Sequence, residues 1–79
     1  MVRAIRALRQ DHDAALAAGL LAGYLRVHPS GALSEEALAL SIEAATARHS
    51  PAAVSLSRRY LTRYPTGRFR AYAEKQLAR

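Results

Sequence analysis

Two stretches of the chain, YLRVHPSGAL at residues 24–33 and YLTRYPTGRF at residues 60–69, are copies of one pattern. The copies begin 36 residues apart and share Tyr-Leu-x-x-[His/Tyr]-Pro-[Ser/Thr]-Gly-x-[Leu/Phe]. Tyr and Leu anchor the end of one helix, and proline disfavours helical geometry in the residue before it. Ser, Thr or Gly then caps the next helix, and Leu or Phe seats its first turn. We predict that each stretch is a junction between two helices.

The sequence on both sides of these junctions is also typical of helices. Ala, Leu and Arg, which favour helices, fill 40 of the 79 positions, and there are only three prolines and four glycines. We predict an all-α chain of five helices, at residues 2–9, 13–27, 32–48, 51–63 and 68–79. The apolar face of the first helix is predicted to be Val2, Ile5 and Leu8, at three-residue spacing. Gly19 and Gly23 lie four residues apart, and we expect another helix to come very close there.

Polar residues predict where two of these helices begin. Asp11 or Asp13 is a suitable N-cap for the second helix. Ser50 is predicted to be the N-cap of the fourth helix, with Pro51 at its first helical position. Both signals follow a predicted turn, which supports the division of the chain into helix pairs.

The repeat leads to a family resemblance. A period near 34 residues made of two helices is typical of tetratricopeptide-type arrays. Residues 24–33 and 60–69 resemble the YxxxYPxSxxAxxA helix junctions of tetratricopeptide-like proteins, and residues 10–16 resemble their GDYxxAL turn. The chain is most similar to the bacterial envelope subgroup of BamD-like outer-membrane lipoproteins and YbgF-type periplasmic proteins. It differs in having small residues where the first helix of each unit usually has Trp, Leu, Gly and Tyr.

This resemblance implies a right-handed antiparallel array of helix-turn-helix units in a single domain. The first helix pair occupies residues 1–29, the second residues 32–65, and a terminal capping helix residues 67–79. It also implies a protein–protein interaction scaffold without catalysis or cofactor, as a fragment or small subunit of a larger bacterial assembly. The concave face of such a scaffold holds a peptide or a partner domain. The compartment implied is the periplasm or cell envelope, and without the resemblance it is the cytoplasm.

The net charge of +6 favours an acidic partner. Seven of the twelve cations lie past residue 57, where Glu74 is the one acidic residue. Tyr24, Tyr60 and Phe69 are assigned to the core because they recur in the repeat, whereas Tyr72 matches Glu36 and is assigned to the surface. The expected partner-contacting residues are Arg58, Arg59, Arg63, Arg70 and Tyr72.

Three other interpretations stay open. The Arg-rich C-terminal half is compatible with nucleic-acid binding, because its two helices and their turn resemble a helix-turn-helix. That alternative is less favoured, since residues 28–31 form the same junction without a basic cluster and only Gln76 would reach base edges. Self-association is a second alternative, because Phe69, Ala73 and Leu77 form a face that the fourth helix covers only in part. A regulatory domain of a membrane-anchored bacterial signalling protein is the third.

Catalytic, cofactor-binding and metal-binding residues are not predicted. The chain has no cysteine, no glycine-rich phosphate loop and no Gly-x-Ser-x-Gly motif. His12, His28 and His49 are far apart in the sequence, and each lies in or beside a predicted turn. The longest uncharged apolar run, residues 14–25, is too short to cross a bilayer.

Overall fold

The computed structural model describes residues 1–78, and within them it contains five helices and no strand. The helices are α1 Val2–Arg9, α2 Ala14–Val27, α3 Ser34–Ala47, α4 Ala52–Arg63 and α5 Arg70–Leu77. The all-α class is therefore confirmed, and every predicted helix is present, with its ends within two residues of the prediction. Position 79, the predicted last residue of the fifth helix, lies outside the described residues.

The caps explain where α2 and α4 begin. A carboxylate oxygen of Asp13 accepts a hydrogen bond from the backbone N of Leu16 at 3.0 Å, so Asp13 rather than Asp11 is the cap. Ser50 Oγ accepts one from the backbone N of Ala52 at 3.2 Å. Helix α4 begins at Ala52 with Pro51 as its N-cap, so the predicted cap, Ser50, lies one position too early.

The end of α3 is closed by a left-handed residue, His49, with φ of 54°. The N–H of His49 donates to the carbonyl of Thr46 at 3.0 Å, and that of Ser50 donates to Ala45 at 2.9 Å. This pair of hydrogen bonds is the Schellman arrangement, which satisfies carbonyls that a helix end leaves unpaired.

The two repeated stretches have the same backbone. We call residues 24–33 the first junction and residues 60–69 the second junction. His28 ends α2 at φ −125°, ψ 69°, and Tyr64 ends α4 at φ −131°, ψ 65°. The next helices start after Leu33 (φ −98°, ψ 5°) and Phe69 (φ −104°, ψ 16°). These two residues are the N-caps and make no side-chain cap hydrogen bond, so the predicted capping by Ser, Thr or Gly is wrong. The repeat in the sequence is therefore a repeat in the structure.

Each helix packs against its neighbours along the chain, so α3 is the middle helix, between α2 and α4. Its apolar residues are buried on more than one side, and Leu38 and Ile42 are among them. Leu33, which was expected to seat the first turn of this helix, is 43% exposed. The assignment of Tyr60 to the core is confirmed, since it is fully buried. The main cluster contains Ala4, Leu21, Leu25, Ala37, Leu38, Ile42, Tyr60 and Ala73.

The predicted apolar face of α1 is wrong in part. Val2 is 80% exposed and Ile5 40% exposed, and the helix buries Ala4, Ala7 and Leu8 instead. A spacing of three residues falls 60° short of a full turn at each step, so the predicted stripe winds around the helix. Only its last member, Leu8, reaches the core.

The expected close helix approach at Gly19 and Gly23 is also wrong. A Cβ added at Gly19 would meet nothing within 4 Å, and one added at Gly23 would meet only the end of the Arg26 side chain at 3.9 Å. No neighbouring helix therefore requires a glycine at either position.

Candidate binding surfaces

The first candidate surface is a groove of about 560 Å³ between α1, α3 and the start of α5. We call it the α1–α3–α5 groove. Its lining comes from all three helices, since it includes Ile5 of α1, Leu40 of α3 and Tyr72 of α5. The complete set of lining residues is Ile5, Arg9, Glu36, Ala39, Leu40, Glu43, Arg68, Phe69 and Tyr72.

Two ion pairs connect the helices around this groove. Both guanidinium Nη atoms of Arg9 donate to the Glu43 carboxylate, one of them to Oε1 at 3.0 Å. Arg68 Nη2 donates to Glu36 Oε1 at 2.7 Å. The hydrogen bond with Glu43 raises the pKa of Arg9, which stays charged at every physiological pH. The two cations and two carboxylates balance, so the groove combines an apolar lining with no net charge.

A hydrogen-bond network beneath the groove fixes the start of α5. The buried Tyr60 hydroxyl donates to Glu35 Oε2 at 2.6 Å and accepts from the backbone N of Phe69 at 2.9 Å. The same Glu35 oxygen accepts from the backbone N of Arg68 at 3.0 Å. The network therefore positions Arg68 and Phe69, which both line the groove. Burial, together with the hydrogen bond to Glu35, raises the pKa of Tyr60.

The second candidate surface is a cavity of about 350 Å³ between α2 and α4, which we call the α2–α4 cavity. Its apolar wall includes Leu25 and Leu56, and three arginines line it, Arg26, Arg48 and Arg59. The lining contains no carboxylate. The remaining lining residues are Ala18, Ala22, Ser41, Ala45, Ser50 and Ala52.

The two surfaces use different faces of α3. Glu36, Leu40 and Glu43 line the groove and follow the i, i+4, i+7 spacing of one helix face. Ser41 and Ala45 line the cavity and lie on a nearly opposite face, at 100° per residue. A ligand in one site would therefore be separated from a ligand in the other by the central helix.

The structure distributes the five expected contact residues over several places. Tyr72 lines the groove, and Arg59 lines the cavity. Arg63 Nη2 donates to the carbonyl of Pro29 at 3.1 Å, and Arg70 Nε is paired with Glu74 at 3.2 Å. Arg58 is exposed and lines neither surface.

Several residues of these surfaces were missed by the sequence reasoning. The signal for the groove was the stripe of Glu36, Leu40 and Glu43 on α3. The signal for the cavity was the absence of Asp and Glu from α2 and α4, which leaves Arg26 without a local acidic partner. The C-terminal excess of cations predicted contact residues on α4 and α5 alone.

The sequence expectation of self-association relied on an apolar face of α5. Ala73 is fully buried and Leu77 is half-buried, whereas the exposed apolar side chains include Val2 and Ile5 of α1. The uncovered apolar surface thus lies more on α1 than on α5.

Comparison with protein-family models, with curated protein sequences and with solved structures gives no match. Within residues 1–78 no helix is both long enough and apolar enough to span a membrane. The same part of the chain has no group of three or more His, Cys, Asp or Glu side chains placed to hold a metal ion.

Proposed function

We propose that this chain is a protein-interaction module that holds a segment of a partner protein in the α1–α3–α5 groove. The observation that carries the proposal is that α1, α3 and α5 together line one apolar groove. In a tetratricopeptide-like array the alternate helices would line a concave binding face. The same proposal therefore includes a right-handed antiparallel array and a scaffold role without catalysis, in a larger bacterial assembly.

The chemistry of the groove indicates the kind of segment it would hold. Its carboxylates are already engaged, Glu36 by Arg68 and Glu43 by Arg9. A ligand with a high charge of either sign would have to displace these pairs. An apolar or aromatic side chain needs no such exchange and would gain the burial energy of its surface against Leu40 and Phe69. The proposed ligand is therefore a peptide segment with apolar anchor residues.

The test is selection of peptides from a phage-displayed random library on the purified protein, followed by fluorescence anisotropy of the enriched peptides. We expect an apolar consensus and a loss of affinity of about tenfold or more for Ile5→Glu, because the new carboxylate would be buried under the peptide. Val54→Glu is the matched control, since Val54 is 38% exposed on α4 and lines neither surface.

Two outcomes would contradict the proposal. One is that no peptide is enriched. The other is that Ile5→Glu and Val54→Glu weaken the enriched peptides equally, which would place the binding site away from the groove.

A further inference from the structure

The three arginines of the α2–α4 cavity are not paired with acidic side chains. The ion pairs of residues 1–78 involve Arg9, Arg68 and Arg70, and none involves Arg26, Arg48 or Arg59. Bringing three like charges to one small cavity is unfavourable by itself, and an anion bound between them would relieve the repulsion. The cavity therefore has an unmatched positive charge.

The acidic residues that would neutralise this cavity are engaged elsewhere or lie on other elements. Helices α2 and α4 contain no Asp or Glu. The three glutamates of α3 have other partners, since Glu35 accepts from Tyr60, Glu36 from Arg68 and Glu43 from Arg9. The internal pairing of the fold thus leaves the three arginines of the α2–α4 cavity without a carboxylate partner.

The lining of the cavity indicates the class of anion. Leu25 and Leu56 give it an apolar wall in addition to the three arginines. No aromatic ring lines it for base stacking, and no Asn or Gln lines it for contact with base edges. A mixed apolar and cationic surface matches a ligand that carries carboxylates and an apolar side chain together. An acidic protein segment has this character, and a nucleic-acid backbone does not.

We propose that the α2–α4 cavity binds an acidic amphipathic segment of a partner protein. Its carboxylates pair with the three arginines, whose planar guanidinium groups suit bidentate carboxylate binding. An apolar side chain of the same segment enters between Leu25 and Leu56. This site is separate from the α1–α3–α5 groove, so the failure of either proposal leaves the other standing.

The probe is a fluorescent peptide of Leu and Glu in amphipathic helical spacing, with a Gln-for-Glu peptide as its control. We expect the Glu peptide to bind, and the Gln peptide to bind far more weakly. Arg26→Gln and Arg59→Gln should each weaken the Glu peptide by about two- to fivefold, and the double variant by about tenfold or more. Arg58→Gln is the matched control, because Arg58 has the same charge on the same helix and does not line the cavity.

Further controls separate the cavity from general charge attraction and from the groove. The Ile5→Glu variant should bind the Glu peptide as the unchanged protein does. All the substituted residues are exposed, and thermal unfolding followed by circular dichroism checks that each variant is folded.

Three results would overturn the proposal. The first is no binding of the Glu peptide. The second is an equal loss for Arg58→Gln and Arg59→Gln, which would mean attraction by net charge alone. The third is tighter binding of a short duplex or single-stranded DNA that depends on Arg26 and Arg59, which would make the cavity a phosphate site of a nucleic-acid-binding protein.

Discussion

The first and second junctions share Tyr, Leu, Pro and Gly and have similar backbones, yet within residues 1–78 only in the second does the tyrosine hydroxyl join a hydrogen-bond network. Tyr60 is fully buried and its hydroxyl joins Glu35 to the start of α5, whereas Tyr24 is half-buried. Within residues 1–78 the Tyr24 hydroxyl makes no hydrogen bond. The helix before α4 supplies Glu35, whereas the helix before α2, α1, contains no acidic residue. The repeated sequence thus determines the local backbone, whereas the neighbouring helix determines how much the junction contributes to the stability of the fold.

The glycines of the two junctions give the largest expected difference. A Cβ at Gly67 would collide with the Tyr60 hydroxyl and the Glu35 carboxylate and would lie 2.9 Å from the Tyr64 Cβ. A Cβ at Gly31 would make only ordinary contacts, at 3.7 Å. We expect Gly67→Ala to lower the free energy of unfolding by about 2–4 kcal/mol, from overpacking and the broken hydrogen bond. Gly31→Ala should leave it unchanged or raise it by up to about 1 kcal/mol.

Urea unfolding followed by circular dichroism measures both variants. Equal effects of Gly31→Ala and Gly67→Ala would mean that the two junctions are packed alike, and the comparison would fail.

The tyrosine hydroxyls test the network itself. Tyr60→Phe removes one donor and one acceptor and leaves the Phe69 N–H and the Glu35 carboxylate short of a partner. We expect a loss of about 1.5–3 kcal/mol in the free energy of unfolding, as for a hydrogen bond to a charged group. Tyr24→Phe is the matched control and should cost less than about 0.5 kcal/mol. A loss for Tyr24→Phe as large as that for Tyr60→Phe would show that the hydroxyl network does not distinguish the junctions.

The free energy of unfolding at alkaline pH tests the same difference between the two junctions. The pKa of Tyr60 is raised in the folded protein, so the folded state keeps this proton at a pH where the unfolded state releases it. The stabilisation is complete below the ordinary tyrosine pKa of about 10 and is lost as pH rises towards the folded-state pKa. We expect the free energy of unfolding to fall above pH 10 by up to about 1.4 kcal/mol per pH unit from this group.

The measurement is the difference in unfolding free energy between the unchanged protein and Tyr60→Phe at several pH values. That difference should shrink as pH rises above 10. A difference that is independent of pH would contradict the raised pKa.

The smallest expected difference is one in which the residue after the first junction contributes more to stability than its counterpart after the second. Buried Ser34 donates from Oγ to the carbonyl of His28 at 2.6 Å, whereas its counterpart Arg70 makes an exposed pair with Glu74. We expect Ser34→Ala to cost about 0.5–1.5 kcal/mol and Arg70→Ala less than about 0.5 kcal/mol. Thermal unfolding in low and high salt checks both, since only the Arg70 pair is screened by salt. A larger cost for Arg70→Ala would reverse this part of the comparison.

The helix ends and the repeat could be predicted from the sequence because local chemistry determines them. Pro29 and Pro65 end helices through their own rings, and Asp13 caps one through its own carboxylate. These effects act over a few residues and need no knowledge of the rest of the fold.

Which face of each helix is buried could be predicted less well. Whether Ile5 is buried depends on where α2 lies around α1, and whether Gly19 meets a helix depends on the position of α1 and α3. The link from Tyr60 to Glu35 spans 25 residues and depends on the packing of α3 against α4. The two binding surfaces also depend on the packing of the helices, since each brings together residues from three helices that no short sequence pattern connects.

The two binding surfaces should respond differently to salt. The arginines that line the α1–α3–α5 groove are held in ion pairs, whereas the three that line the α2–α4 cavity are outside the ion pairs of residues 1–78. A salt gradient over the immobilised protein should therefore elute an acidic ligand of the cavity first and leave an apolar ligand of the groove bound. One column would separate the two classes of partner.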